Sequence, residues 1–492
     1  MIALTPTSEQ VEGTSSLLWM LVLAAGARFF RSPDALLAWS KIAAGLAFGL
    51  SLYCFARLAK RFLPLSYAAV AVLLLALNEA PFLETLNGME MNLYMLLTLA
   101  LALALIDAYR PQTGKHAFVS WSGAVLLSCA LLLVRLEAPY LLFFLYGGVW
   151  FTFRKAKSIS LLALANVLFF AGVEAWRFHR FHSWLPNTIL AKRWPPYTPL
   201  TLQGKLFSRT DATAEIFTIL AIPICFAAAF WLVRKLERQT ATPPIDKGLR
   251  PIFLSMTLGA LGVGLALGQN WGHPGRMVLA FVPFLILALV SAMQSLSSAL
   301  SLNTRRVMAV IVLCQLALWP VQVWRAVDGQ SISYAAVEQT GLAADAVRLS
   351  LHRETLSAFI PDVGASSLCC QHLTVMDSAL LANAYLARRG YSAVPTFVQN
   401  NHPDLIETHG PWAREGRFYR DHALDGYGLI QVLGKYFFLR NDLYADLKHA
   451  GGAVVLPSCV TPADIAGMRA EDVYFLTSRK ECIRLNPSPA PR

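Results

Sequence analysis

The chain has 492 residues, of which 56% are hydrophobic and only 15% charged, with a net charge of +12. Soluble domains carry about 25% charged residues, so a string of ordinary soluble domains is excluded and the composition is that of a membrane protein. With a pI near 9.4 and a mean hydropathy of +0.49, the positive balance reads as Lys and Arg in cytoplasmic loops, and no nucleic-acid partner is expected.

In chain order, residues 1–35 are expected to form an external or interfacial segment. It lacks a signal sequence, and the apolar run at 16–28 is too short to span a bilayer. Residues 36–325 hold ten candidate passes, near 36–58, 62–78, 88–108, 117–134, 138–153, 158–176, 213–233, 251–269, 277–299 and 306–325. Basic connections such as Arg57–Lys60–Arg61 and Arg154–Lys155–Lys157 alternate with connections such as "NEAPFLETLNGME" (78–90), which has no Lys or Arg. Basic loops belong in the cytoplasm, which places the N-terminus and everything after residue 326 outside. An external N-terminus with no preceding helix is hard to insert, so a missing first helix is expected.

Residues 326–492 are more polar and read as an external mixed α/β domain. "LSAFI" (356–360), "AVVLP" (453–457) and "DVYFLTS" (472–478) are strand-like, and "SALLANAYLARRG" is helix-like. The fold class expected is therefore mainly α, with polytopic membrane helices followed by this C-terminal domain. Of eight cysteines, Cys369, Cys370, Cys459 and Cys482 lie here, and three disulfide connectivities are open to them. There is no Walker or G-x-G-x-x-G loop, so a cytosolic nucleotide site is not expected.

Ionisable groups at membrane depth are costly, and their position hints at function. Here they gather toward one side: Glu84 and Glu90; Arg135 and Glu137 in "LVRLEAPY"; Arg177, Arg180, Lys192 and Arg193 in "WRFHRFHSWLPNTILAKRWPPY" (176–197); and Trp271, His273 and Arg276 in "QNWGHPGRM". Arg135 with Glu137 could equally be a local ion pair, and cations beside Trp and Tyr are common interfacial anchors. His179 and His182 lack a third ligand, so no metal site is expected, although a divalent metal is left open. A one-sided cluster suits an enzyme working at the outer surface. Such an enzyme draws activated sugar from a polyprenyl phosphate, whose phosphate needs Arg or Lys and whose tail needs an apolar groove. A carboxylate base then takes the proton of the acceptor hydroxyl.

These motifs resemble those of the GT-C multi-pass glycosyltransferases related to the terminal arabinofuranosyltransferases of actinobacterial cell walls. "VEGTSSLLW" (11–19) is similar to the family's V-E-G-[YT]-[TS]-x-x-L-W, and "LNGMEMNLY" (86–94) to S-G-[LM]-E-T-x-L-[FY]. "VRLEAP" (134–139) resembles R-P-E-[GA] with Leu136 for Pro. "SWLPNTILAKRW" (183–194) resembles L-P-N-T-x-x-A-K, and "NWGHPGRM" (270–277) resembles D-W-x-x-x-G-R with Asn270 for Asp. "IPDVGA" (360–365) and "TVMDSALL" (374–381) are similar to the domain's D-x-G-A and [IV]-x-D. In the family a first helix and an acidic D-D-A-[YF] stretch precede V-E-G, and that stretch supplies the base. The resemblance thus implies that the native start lies upstream and that the base belongs to the absent segment.

Carried over, the resemblance gives Glu12 to the acceptor side and Glu90 to the external cavity. Arg135, Glu137, Asn187 and Lys192 would line the donor site, with Lys192 on the phosphate, and Trp271 and Arg276 would close the cavity. The function implied is an inverting membrane glycosyltransferase in the bacterial cytoplasmic membrane. It would move an arabinofuranose-like sugar from a polyprenyl-phosphate donor to a cell-envelope glycan or glycolipid acceptor, with membrane lipids around it. A non-catalytic glycan-binding remnant and a transporter or flippase are the alternatives. The latter would show inverted repeats and ionisable groups deep in several helices.

Overall fold

The computed structural model describes residues 3–109, 114–154, 156–195, 197, 250–267, 274–299, 304–328, 334–416, 418, 423–449, 453–456 and 482–485. Two compact units interleave along the chain. A helical unit takes 16–174 and 201–330, and an α/β unit takes 1–15, 175–200 and 331–492.

The first helices are α1 (Leu17–Ala27), α2 (Pro33–Ala59), α3 (Leu65–Ala76), α4 (Glu79–Asn87), α5 (Met91–Tyr109), α6 (Gly114–Val134), α7 (Ala138–Phe153) and α8 (Ala156–Phe181). A short α9 (Asn187–Lys192) lies in the α/β unit, and α10 (Arg250–Leu267), α11 (Val282–Ala299) and α12 (Thr304–Asp328) return to the helical one. Local chemistry sets their ends. Ser32 caps α2 by accepting from the Ala35 amide, with Pro33 and Asp34 in the first turn, where no N–H is missed and a negative charge meets the positive helix end. On α2, Phe55 and Leu58 turn into a core shared with Tyr94, Met95 and Leu99 of α5 and Leu141 and Leu145 of α7. Its other face leaves Ile42, Leu46, Leu50 and Tyr53 exposed, the apolar outer surface that a lipid environment requires.

Every expected pass except 213–233, which lies outside the described residues, is helical, but the expectation of ten spans is corrected. Among the described residues only Pro33–Ala59, Met91–Tyr109 and Lys157–Phe181 are long and apolar enough to cross a membrane, with a fourth if α3 and α4 count as one bent span. Apolar runs overcount because caps and bends cut them. At 1.5 Å per residue the 16 residues of α7 reach about 24 Å, short of the ~30 Å hydrocarbon core.

The bend between α3 and α4 is 43° and has identifiable causes. Asn78 starts a new helix by accepting from the Ala80 amide, and Pro81 sits in the first turn of α4, where its missing N–H costs nothing. Asn92 of α5 then locks α4 in place, its side-chain amide donating to the Pro81 carbonyl at 3.0 Å and to Thr85 Oγ1 at 2.9 Å. Helix α4 ends at Gly88 in the left-handed region (φ 64°), and a Cβ there would overlap Ser40 Oγ of α2.

The α/β unit is built on a seven-stranded sheet: β1 (Leu356–Ile360), β2 (Leu373–Asp377), β3 (Leu405–Ile406), β4 (Tyr427–Val432), β5 (Lys435–Arg440), β6 (Ala453–Leu456) and β7 (Cys482–Leu485), in the order β2-β1-β3-β5-β4-β7-β6. Strand β1 pairs in parallel with both β2 and β3. Side chains alternate between two buried faces. Ala358 and Ile360 meet Ala343, Ala344 and Val347, whereas Phe359 meets Leu386, Val394 and Trp412. The strands expected at 356–360 and 453–457 are present as β1 and β6, and 472–478 lies outside the described residues. The helix expected from Ser378 begins only at Ala384, because residues 378–382 are held as a loop. Cys369 is bonded to Cys370, and Cys482 is also in a disulfide.

Gly88→Ala should destabilise the helical unit by about 1–3 kcal/mol, the usual cost of a non-glycine residue forced into such a backbone region, seen as a lower melting temperature in detergent. An unchanged melting curve would mean the end of α4 is not held against α2.

Candidate active site

Five charged side chains meet inside the helical unit. Arg135, between α6 and α7, donates to Glu90 Oε1 at 2.5 Å and from Nε to Glu137 Oε1 at 2.7 Å. Arg276, in a short 3-10 turn (Pro274–Val278) before α11, reaches Glu90 Oε1 at 2.8 Å and lies 3.8 Å from Glu84 of α4. Arg135 also donates to the Met277 sulfur. The helix break brings Glu84 in, and Gly88 sets the turn from which Glu90 starts α5. Isolated charges in an apolar bundle would be costly, so two guanidiniums and three carboxylates persist there only by pairing.

The cluster grades from closed to open. The side chains of Glu90 and Arg135 are each 5% exposed, whereas those of Arg276 and Glu137 are 18% and 20% exposed. Glu84 Oε2, Arg276 Nε and the Tyr94 hydroxyl are buried without a hydrogen-bond partner among the described residues. The part-exposed Arg276 guanidinium, unlike the closed Arg135, leaves some of its surface accessible to an anion. An apolar groove of about 660 Å³ lies in the same helical unit, and none of the five charged side chains lines it. Leu132 and Pro139 flank Arg135 and Glu137 in the chain, and the groove follows α7 past Phe143 and Tyr146 to Trp150, against Val167 and Phe170 of α8. From Pro139 to Trp150 it runs roughly 16 Å at the helical rise.

Of the residues singled out in the sequence, Glu90, Arg135, Glu137 and Arg276 are thus brought together. Glu84 joins them through the break in "NEAPFLETLNG", a turn that an apolar-run count does not resolve. Trp271 lies outside the described residues. Glu12, Asn187 and Lys192 belong to the α/β unit. There Glu12 accepts two bonds from Arg177, at 2.5 and 3.2 Å, and both side chains are buried. Asn187 donates to the carbonyls of Leu380 and Leu381 at 3.1 and 3.0 Å, and its own amide donates to the Glu12 carbonyl. Lys192 lies half-buried in the last turn of α9.

Asp377, at the end of β2, accepts from the amides of Ala379 and Ala382 at 2.7 and 2.6 Å. Burial pushes its pKa up to about 7 against the pull of those bonds. Gly13 packs on Ala382, where a Cβ would meet the Ala382 Cβ at 3.2 Å. The V-E-G, L-P-N-T and V-M-D motifs therefore converge on one loop, 377–383. At the ends of the neighbouring parallel strands, His409 bonds Glu407 at 2.8 Å and faces Asp362 at 3.4 Å. Burial pulls the imidazole down, but the two carboxylates outweigh it and raise it to about 10. Nothing in the sequence singled out His409 or Glu407, which become neighbours of Asp362 only through the β1–β3 pairing. Among the described residues no three His, Cys, Asp or Glu side chains are grouped to hold a metal ion.

No protein-family model and no curated protein sequence matches this chain. Among solved structures it is similar to the archaeal oligosaccharyltransferase AglB from Archaeoglobus fulgidus in complex with an inhibitory peptide and a dolichol-phosphate. The TM-score is 0.50 at 10% identity, over 89% of this chain and 67% of that one. A further match is an Archaeoglobus fulgidus oligosaccharyltransferase in complex with zinc and sulfate (TM-score 0.49, 14% identity, 89% and 66% covered). ArnT from Cupriavidus metallidurans in the apo state also matches (TM-score 0.38, 15% identity, 92% and 89% covered). The chain has the GT-C fold, and it spans about two thirds of the length of the archaeal enzymes.

Arg135→Ala should cost about 3–5 kcal/mol, because it strips a buried cation from Glu90 and Glu137, read as loss of folded protein in a detergent melt. In the α/β unit, the stability contributed by the His409 pairing is complete below about pH 6.5 and disappears as pH climbs through about 10. An NMR titration should find the imidazole still protonated at pH 8, and Glu407→Gln should bring its midpoint down. Asp377 acts in the same direction over a lower window. Between pH 3.8 and about 7 the native state binds the extra proton, so its contribution falls as pH rises through that window, measurable as faster amide exchange in 378–382.

Proposed function

We propose that this chain is a multi-pass membrane glycosyltransferase. It would move a sugar, arabinofuranose-like by its sequence motifs, from a polyprenyl-phosphate donor to a cell-envelope glycan or glycolipid. The observation that carries this reading is the charge cluster inside an apolar helical unit, together with an apolar groove whose lining on α7 begins at Pro139, two residues after Glu137. A lipid phosphate has two parts that these features could serve, an anionic head for the guanidiniums and an apolar tail for the groove. The archaeal AglB of the same fold was solved holding a dolichol-phosphate, which supports a lipid-linked donor. Disulfides at Cys369–Cys370 and Cys482 suit an oxidising compartment, which supports the α/β unit lying outside the bacterial cytoplasmic membrane.

In this reading the tail lies along α7 and the donor phosphate meets Arg276. Arg135 holds Glu90 and Glu137 in place, so the cations face a leaving phosphate whose charge grows as the glycosidic bond breaks, without reorganising. The acceptor hydroxyl attacks the anomeric carbon from the opposite face, inverting it, and its proton passes to a carboxylate. Glu137 is the most accessible carboxylate of the cluster.

The test is transfer by the purified chain in lipid nanodiscs, supplied with polyprenyl-phosphate arabinofuranose and an arabinan oligosaccharide, with products read by mass. Arg276→Ala should lower kcat/KM, counted per folded enzyme in the nanodisc, by on the order of 10²–10³, the usual loss for one preorganised charge-stabilising donor. Arg276→Lys should recover part of it as a point charge. Wild-type turnover in Arg276→Ala would refute the placement of the phosphate.

A further inference from the structure

A second, smaller cavity of about 160 Å³ lies wholly within the α/β unit, formed by residues 9–12, 180–183, Leu185, Asn187, Ala384 and Arg388. At ~30 Å³ of liquid per molecule it holds about five waters, roughly what one sugar ring with its hydroxyls displaces. Its wall includes Glu12, held by Arg177 at 2.5 Å, and Asn187, fixed to the 377–383 loop, so this side is buried and rigid. At its mouth stand Glu9, Gln10, Arg180 and Arg388, all exposed. Arg180 donates to Gln10 and Arg388 to the His182 carbonyl at 3.2 Å. A guanidinium has five N–H donors, so each keeps several for a ligand. Glu9 accepts from the Ala384 amide at 3.3 Å and has further lone pairs to offer.

We propose that this cavity binds one unit of a neutral glycan; its assignment as an acceptor subsite rests on the transferase reading above. The argument is one of donor and acceptor balance. A sugar hydroxyl both donates and accepts, and this cavity presents carboxylates and guanidiniums side by side, so adjacent hydroxyls can be held in charge-assisted pairs. A phosphate would instead bring its negative charge against the carboxylates of Glu9 and Glu12. Three chain segments distant in sequence build the cavity, and the polar opening segment is one of them. Its Ser8 hydroxyl donates to the Val375 carbonyl at 2.8 Å, and Thr7 bonds Thr374 at 2.7 Å, which lays this segment along β2.

The experiment is saturation-transfer NMR on the full chain in detergent, with methyl α-arabinofuranoside, methyl α-mannopyranoside and inorganic phosphate as probes. At least one glycoside should bind, and Glu9→Ala and Arg388→Ala, both at the exposed mouth, should each weaken it about tenfold, the loss of roughly one charge-assisted hydrogen bond. Glycoside binding that survives either variant, phosphate binding in place of a glycoside, or no binding of any probe would overturn the proposal. The outcome is separable from the transfer assay. Glycoside binding without transfer would remove the transferase reading and leave the sugar site, whereas transfer without glycoside binding would do the reverse.

Discussion

The helical unit depends on how it keeps charge inside an apolar bundle. Arg135 is the hinge of that solution, since one guanidinium bonds both Glu90 and Glu137. Arg276 shares Glu90 from the other side and approaches Glu84. Removing water raises both the cost of each charge and the strength of each pair, so the five side chains are tied to one arrangement of four chain segments. The break between α3 and α4, the Asn92 latch and the left-handed Gly88 all follow from the need to deliver Glu84 and Glu90 to that point.

Burial grades outward through the same cluster, and this gradient gives it chemistry. The inner pair is closed and structural. The outer pair, Arg276 and Glu137, keeps some access.

The α/β unit solves a different problem, that of holding an irregular loop. Residues 378–382 follow a β-strand and precede a six-residue helix, and their backbone groups need partners. Asp377 accepts two of their amides and Asn187 donates to two of their carbonyls. Motifs that read in the sequence as candidate ligand contacts are in part the frame of this loop. Asn187 is the plainest case, because its side-chain amide is directed at the backbone.

Composition, apolar runs and loop charges were enough to read a membrane protein with a more polar α/β region and to place the long apolar helices within a few residues, although α4 lay in a stretch (78–90) read as a connection. That information is local, since hydropathy and turn residues act over one or two turns of chain. It overcounted spans because hydropathy does not register a cap such as Asn78 or a left-handed stop such as Arg154 (φ 56°), which divide or shorten apolar runs. One-sided clustering of Glu90, Arg135, Glu137 and Arg276 was legible too, because ionisable residues stand out against apolar neighbours. Only the tertiary structure decided which of them touch, that the polar opening segment runs beside β2, and that His409 meets Glu407 and Asp362. Apart from the pairs Arg135–Glu137 and Glu407–His409, two positions apart, those contacts join residues tens to hundreds of positions apart through helix packing and strand pairing, and no local pattern encodes a partner at such a distance.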